Sequence, residues 1–169
     1  MKHLLLFLAI VISTTALHGQ DRYDQMGITF KIPKGWGITD VQPEKNAIYF
    51  SCEKQGDNES GIISFIYLGV DADLNAFLQL CMQNAENSAS MSEGKDFKWG
   101  PDTTDAIIGA YTARKVTYTV SYLGLPFSGS IIVYRGCGNM VMLNPQEADE
   151  DRKKNKRGFQ QILGSIKCR

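Results

Sequence analysis

The chain has 169 residues, 18 Lys+Arg against 18 Asp+Glu, four cysteines and two histidines. Both histidines, His3 and His18, lie in a stretch that reads as an export signal, so cleavage after residue 19 leaves no imidazole for Ser/His/Asp or Cys/His catalysis or for His-bearing metal sites. Loss of Lys2 takes the basic count to 17 against 18 acids, a formal charge of −1, which gives no electrostatic case for nucleic acid or an acidic membrane.

The N-terminus runs Met1-Lys2-His3, then nine apolar residues from Leu4 to Ile12, then small and polar residues from Ser13 to Gly19. That is the order of a secretory signal, and the apolar run is too short for a stable bilayer anchor. Cleavage after Ala16 or Gly19 fits the pattern, and the first cysteine, Cys52, is too distant to accept a lipid. The expected organisation is a signal peptide over 1–19 and a single domain over 20–169. The expected location is secreted or periplasmic, without a stable membrane anchor.

Residues 20–26 are polar and read as a loose N-terminus. Ile28-Thr29-Phe30-Lys31-Ile32 alternates with period two and predicts a half-buried strand, ended by Pro33-Lys34-Gly35. Trp36 to Val41 and Ala47 to Cys52 predict two more strands, and the polar run Gln55 to Gly61 a turn. Ile62 to Val70 is nearly continuously apolar, as in a central strand. Asp71 and Asp73 then cap a helix whose face is Leu74, Phe77, Leu78, Cys81 and Met82, and which fades over 84–94.

Phe97 to Trp99 and Ala106 to Ile108 predict short strands. Val116, Tyr118, Val120 and Tyr122 alternate with polar residues, the clearest strand pattern in the chain. Gly124 and Pro126 punctuate a turn, and the chain returns over Phe127 to Tyr134. A last strand covers Met140 to Leu143. From Pro145 onward a second helix is predicted, acidic first and basic later, with Phe159, Ile162, Leu163 and Ile166 as its core face. The charge run from Glu147 to Arg157 reads as its solvated side. Tight turns between neighbouring strands make the sheet mainly antiparallel, and two helices covering it give an α+β sandwich.

The segment Gly27-Ile-Thr-Phe-Lys-Ile-Pro33 followed by Gly35-Trp36 resembles the opening strand of the PsbP-like family. The ending Asn155-x-x-x-Phe159-x-x-Ile162-Leu163-x-Ser165-Ile166-Lys167 resembles its final helix. The resemblance implies an antiparallel sheet between helices and a non-enzymatic role in assembly or accessory binding. The photosystem subunit of that family acts at a manganese-calcium cluster. No matching motif residues carry a metal role to this chain, and no cofactor is expected.

Cys52, Cys81, Cys137 and Cys168 form an even set without C-x-x-C spacing, which in an oxidising compartment predicts two disulfides with three possible pairings. A final helix packed back along its own strand brings Cys168 near the turn holding Cys137. Cys52 with Cys81 is then the other pair.

No G-x-S-x-G, phosphate loop or H-E-x-x-H is present, and the acids sit at helix starts or in loops. Asp71-x-Asp73-x-Asn75 opens like a calcium loop but lacks the following Gly and the twelfth-position Glu, and helix capping accounts for it. Asn58-Glu59-Ser60 is a glycosylation sequon. The contact candidates are Tyr122, Leu123, Leu125 and Phe127, because hairpin tips are ordinarily polar, weighed against the favoured alternative that the tip folds over the sheet edge or under a helix and is core. Trp36, Trp99, Tyr111 and Tyr134 are read as packing, with a ligand groove as the alternative. The functional expectation is an exported, non-enzymatic accessory or binding domain whose partner is another exported protein. A small-ligand carrier is the first alternative and a histidine-independent hydrolase the second.

Overall fold

The computed structural model describes residues 21–25, 27–136 and 138–168. The predicted signal over 1–19 lies outside the described residues. Among the described residues the order is β1 (Arg22–Gln25), β2 (Ile28–Lys31), β3 (Trp36–Glu44), β4 (Ala47–Lys54), β5 (Ile62–Leu68) and α1 (Leu74–Met91). Then come β6 (Lys95–Trp99), β7 (Thr104–Ile108), β8 (Tyr111–Tyr122), β9 (Leu125–Gly136), β10 (Asn139–Ala148), a 3-10 turn (Asp149–Asp151), α2 (Arg152–Ser165) and β11 (Lys167–Cys168).

The main sheet has eight strands in the order β3-β4-β5-β10-β9-β8-β6, with β7 also on β8. A smaller sheet orders β1-β2-β11. All recorded pairings are antiparallel. The described residues form an antiparallel α+β sandwich with two α-helices, as the turn-separated alternating strands predict.

Alternation along each strand sorts the core into two halves. Ile63, Phe65, Val141, Leu143, Ile132 and Tyr134 face α2 and the small sheet. Ile66, Met140, Met142, Ile131, Val133 and Val120 face α1. The α2 side is built around near-parallel rings: Phe50 lies 4.4 Å from Phe65 and 4.5 Å from Tyr23. The predicted face of α2 is where expected, with Ile162 and Ile166 fully buried and Phe159 and Leu163 packed beside them. Arg152, Lys153, Lys154, Lys156 and Arg157 are exposed, so the basic run is a solvated side.

Four local expectations change. The polar N-terminus is not loose: Tyr23 pairs with Phe30 across β1–β2 and is 2% exposed. One buried ring fixes a four-residue strand that shows no apolar pattern of its own. Helix α1 does not fade at Asn84 but continues to Met91. Ala85 and Ala89 extend the Phe77–Cys81 row at four-residue spacing, so the helix holds by small residues against the sheet. Asp73 caps it, its carboxylate accepting from the N–H groups of Asn75 and Ala76 at 3.0 and 2.9 Å.

The largest change is at Pro145, which begins no helix. It sits inside β10, in register with Ile63 of β5. The ladder to β9 passes from Leu143–Ile132 to Gln146–Gly129 without pairing Pro145, and there its missing N–H is tolerated. β10 therefore runs to Ala148 and places Glu147 on the sheet.

The fourth change concerns cysteine. Cys52 and Cys81 are both free, buried thiols and form no disulfide. Cys52 belongs to the α2-side core and Cys81 to the α1-side core. The sheet lies between them, which the expected strand-on-helix pairing did not allow for.

Candidate functional site

On the α2 side, strands β6, β8, β9 and β10 carry a row of polar side chains. Lys98 pairs with Thr119, Thr119 with Ser128, and Ser128 with Glu147. The next row along is Thr117 with Ser130, and the one after is Lys115 with Ile132. Strand alternation puts all of these on one face. Helix α2 borders that face with Arg152, Phe159 and Leu163, and the resulting cleft has a volume of about 500 Å³. One end is apolar, at Ile132, Phe159 and Leu163; the other is polar, at Glu147, Arg152 and Ser128.

The polar end is held by a chain of bonds. Arg152 donates to Ser128 Oγ at 2.6 Å and to Asp149 Oδ1 at 2.8 Å, while Ser128 Oγ donates to Asp149 Oδ1 at 2.6 Å. Ser60 Oγ accepts the Ala148 N–H at 2.9 Å and donates to Asp151 Oδ2 at 2.8 Å, tying the start of β5 to the entry of α2. Lys154 donates to the other oxygen of Asp151 at 2.8 Å. The hydrogen bonds from Lys154 and Ser60 hold the Asp151 carboxyl below its ordinary range.

Glu147 is different. It is 8% exposed, and its Oε2 is buried without a hydrogen-bond partner. Burial pushes its carboxyl above the usual range, against the opposing pull of Asn155 and Arg152. Asn155 stands beside it, fully buried, with neither amide atom in a hydrogen bond of normal geometry. Buried polar atoms are ordinarily paired, so unmet capacity of this kind marks a place where a further group fits.

On the α1 side a second cavity, about 410 Å³, lies between the far half of α1 and the sheet. Tyr118 Oη is 2.8 Å from Asn144 Oδ1 and 3.1 Å from Gln146 Oε1. A phenol has one proton, so one of the two amides faces it with its nitrogen.

The predicted contact hairpin is β8–β9. Tyr122 pairs with Leu125, leaving Leu123-Gly124 as a two-residue turn with φ of +51° and +82°. Positive φ at both positions defines the type I′ turn that suits strand twist. Leu123 is 95% exposed and Leu125 52%. Tyr122 and Phe127 meet edge to face at 5.4 Å and pack onto the α1-side core. At the neighbouring end of α1, otherwise rich in Ser and Asn, Met91 is 80% exposed, and Lys95 just beyond it pairs with Ser121.

The aromatic groove does not form, because its members are split between the two faces. Trp36 packs against Phe159 on the α2 side, and Trp99 against Tyr118 on the α1 side. Tyr111 stacks on Tyr134 at 5.2 Å, and its hydroxyl accepts the Cys168 N–H at 3.1 Å. Cys168 is disulfide-bonded. Cys137 lies outside the described residues. Glu147 is not among the sequence-predicted site residues, because Pro145 onward reads as the second helix and the acid as part of its charged side. Its Leu143-x-Pro145-x-Glu147 alternation was the available signal.

No protein-family model and no curated protein matches the sequence. Solved structures do match. The cyanobacterial PsbP protein, CyanoP, of Synechocystis sp. PCC 6803 aligns with a TM-score of 0.62 at 13% identity, over 88% of this chain and 91% of that one. LpqN of Mycobacterium tuberculosis, described as involved in cell envelope biogenesis, aligns at 0.53 and 18% identity, over 83% and 82%. A protein from Bacteroides thetaiotaomicron VPI-5482 aligns at 0.56 and 10% identity over 88% of this chain, which spans 48% of that one. The fold is PsbP-like, as the two terminal motifs imply, and at these identities the likeness is one of fold.

Proposed function

We propose that the chain is an exported accessory domain that works by binding, and that it meets another exported protein through the β8–β9 hairpin tip. The observation that carries this is Leu123. A leucine at φ +51° pays about 1–2 kcal/mol relative to a right-handed or extended residue. At 95% exposure it recovers almost nothing by burial. Folding alone favours Asn or Gly there. Leu125 and Met91 extend the apolar character of that end of the sheet.

Fold likeness to CyanoP and to an envelope-biogenesis protein supports an accessory role, and the signal-like N-terminus supports export. The bond of Cys168 fits an oxidising compartment, with Cys137 as the proposed partner. The test is a photo-crosslinking residue placed at Leu123 in the native host, with Gln160 on the exposed side of α2 as control. Discrete adducts from position 123 and none from 160 are expected. Equal labelling at both positions, or none at 123, rejects the docking role.

A small-ligand carrier is the second reading. It is favoured by the α2-side cleft and its unpartnered Glu147 oxygen.

A further inference from the structure

The α2-side cleft combines three kinds of group that rarely meet without a ligand. The first is the Glu147 carboxylate, more than nine-tenths buried, lining the cleft with one oxygen unpartnered. The second is the hydroxyl floor of Thr117, Thr119 and Ser130, whose rows lie about 7 Å apart along the strands. The third is a pair of cations, Lys98 beside Thr119 and Lys115 one row beyond Thr117. Neither lysine is in an ion pair among the described residues.

We propose that this cleft is a binding site for a small anionic polyol, the chemistry shared by sugar acids and sugar phosphates. Each group has its counterpart in such a ligand. A carboxylate oxygen without a donor takes a ligand hydroxyl proton, a stronger bond than one between neutral groups. The threonine and serine hydroxyls both donate and accept, which suits a ring bearing several O–H groups. The lysines meet the anionic substituent in the open part of the cleft, where their charge is screened but not cancelled. Phe159 and Leu163 on α2 offer the C–H face of the ring an apolar wall. The volume of about 500 Å³ is in the range of pockets for small organic ligands.

The position of Glu147 explains why the site is set and not improvised. Arg152 is committed to Ser128 and Asp149 and leaves the Glu147 oxygen unpaired. Asn155 stands against the carboxyl and draws its pKa down, but in no hydrogen bond of normal geometry. Glu147 is thus a cleft-lining carboxyl whose bonding capacity the protein does not fill with a hydrogen bond of normal geometry. This inference is independent of the hairpin, which lies beyond the end of this cleft.

The test is an NMR titration of the full mature chain with four probes: glucuronate, glucose 6-phosphate, glucose and inorganic phosphate. At least one of the two anionic polyols should saturate and shift the amides of Thr117, Ser130 and Glu147. Which of them does so separates a carboxylate from a phosphate source. Glucose should bind at least about tenfold more weakly, and phosphate should not saturate, as expected when hydroxyl and charge are both read. E147Q should weaken the anionic polyol by about fivefold or more. The double variant K98Q/K115Q, at exposed Lys98 and half-buried Lys115, should weaken it similarly and remove its salt dependence. The proposal is overturned if neither anionic polyol saturates, if phosphate alone matches them, or if both variants bind as tightly as the wild type.

Discussion

The indole of Trp36 lies on the bare main chain of Gly158, where an added Cβ would stand 2.5 Å from Cζ2. A mid-helix glycine ordinarily costs about 1 kcal/mol relative to alanine. Here the overlap outweighs the propensity, because the half-buried ring is packed against Phe159 at 5.4 Å and must leave that contact to make room for a methyl group. G158A should lower stability by about 1–2 kcal/mol, a fall in Tm of roughly 2–8 °C. In a W36L background the same change should be neutral or stabilising, because the clashing atoms are gone. Thermal melts of the four proteins form the cycle. A higher Tm for G158A in the Trp36 protein would show that the contact is not tight.

Stability above the ordinary glutamate range should carry the mark of Glu147. Its raised pKa means that, between the ordinary glutamate range and its own value, the folded chain keeps a proton the unfolded chain has released. Stability therefore falls as pH rises through that window. E147Q, which has nothing to ionise, should be the more stable protein above it, and the two should converge as pH falls toward about 4. Asp151 works in the opposite sense, its lowered pKa giving stability that is lost only below the usual aspartate range. Urea unfolding at stepped pH reads the difference, and parallel curves for E147Q and wild type would contradict it.

Replacing Leu123 with asparagine should separate folding from docking. L123N creates Asn-Gly, the favoured pair for this turn, and removes almost no buried surface. A gain of about 0.5–1 kcal/mol in urea unfolding is expected. Crosslinking from the neighbouring Leu125 should fall in the same variant. Unchanged crosslinking alongside a stability gain would leave the turn without a contact role.

The cysteines should titrate in two classes. Cys52 and Cys81 are 0% and 5% exposed, and burial pushes both thiols up to about 12. Neither should react appreciably with a thiol reagent at pH 8 in the folded chain. Unfolding without reductant should release two reactive thiols, and reduction should raise the number to four. More than two before reduction would break the proposed Cys137–Cys168 bond.

The strand pattern was legible wherever one face of a strand meets a core and the other does not. Val116, Tyr118 and Val120 are buried in alternation, as read. The Phe159, Ile162, Leu163 and Ile166 face was equally plain, because its spacing repeats over two turns. What escaped the sequence depended on contacts distant along the chain. Tyr23 is held by Phe30 and Phe50, neither of which its neighbours announce. Pro145 obeys a rule about backbone N–H groups that only the register of β9 shows to be satisfied. The polar row from Lys98 to Glu147 spans four strands, and no single segment contains it.

Cys52 and Cys81 sit on opposite sides of one sheet, each inside the packing of a different helix layer. The molecule thereby contains a chemical clock for each half. Under conditions that favour folding, the rate at which each thiol becomes alkylated measures how often its own layer opens. Matching rates would mean that the halves come apart together. Unequal ones would say which helix lifts first, and so which face of the domain is free to rearrange around whatever it holds.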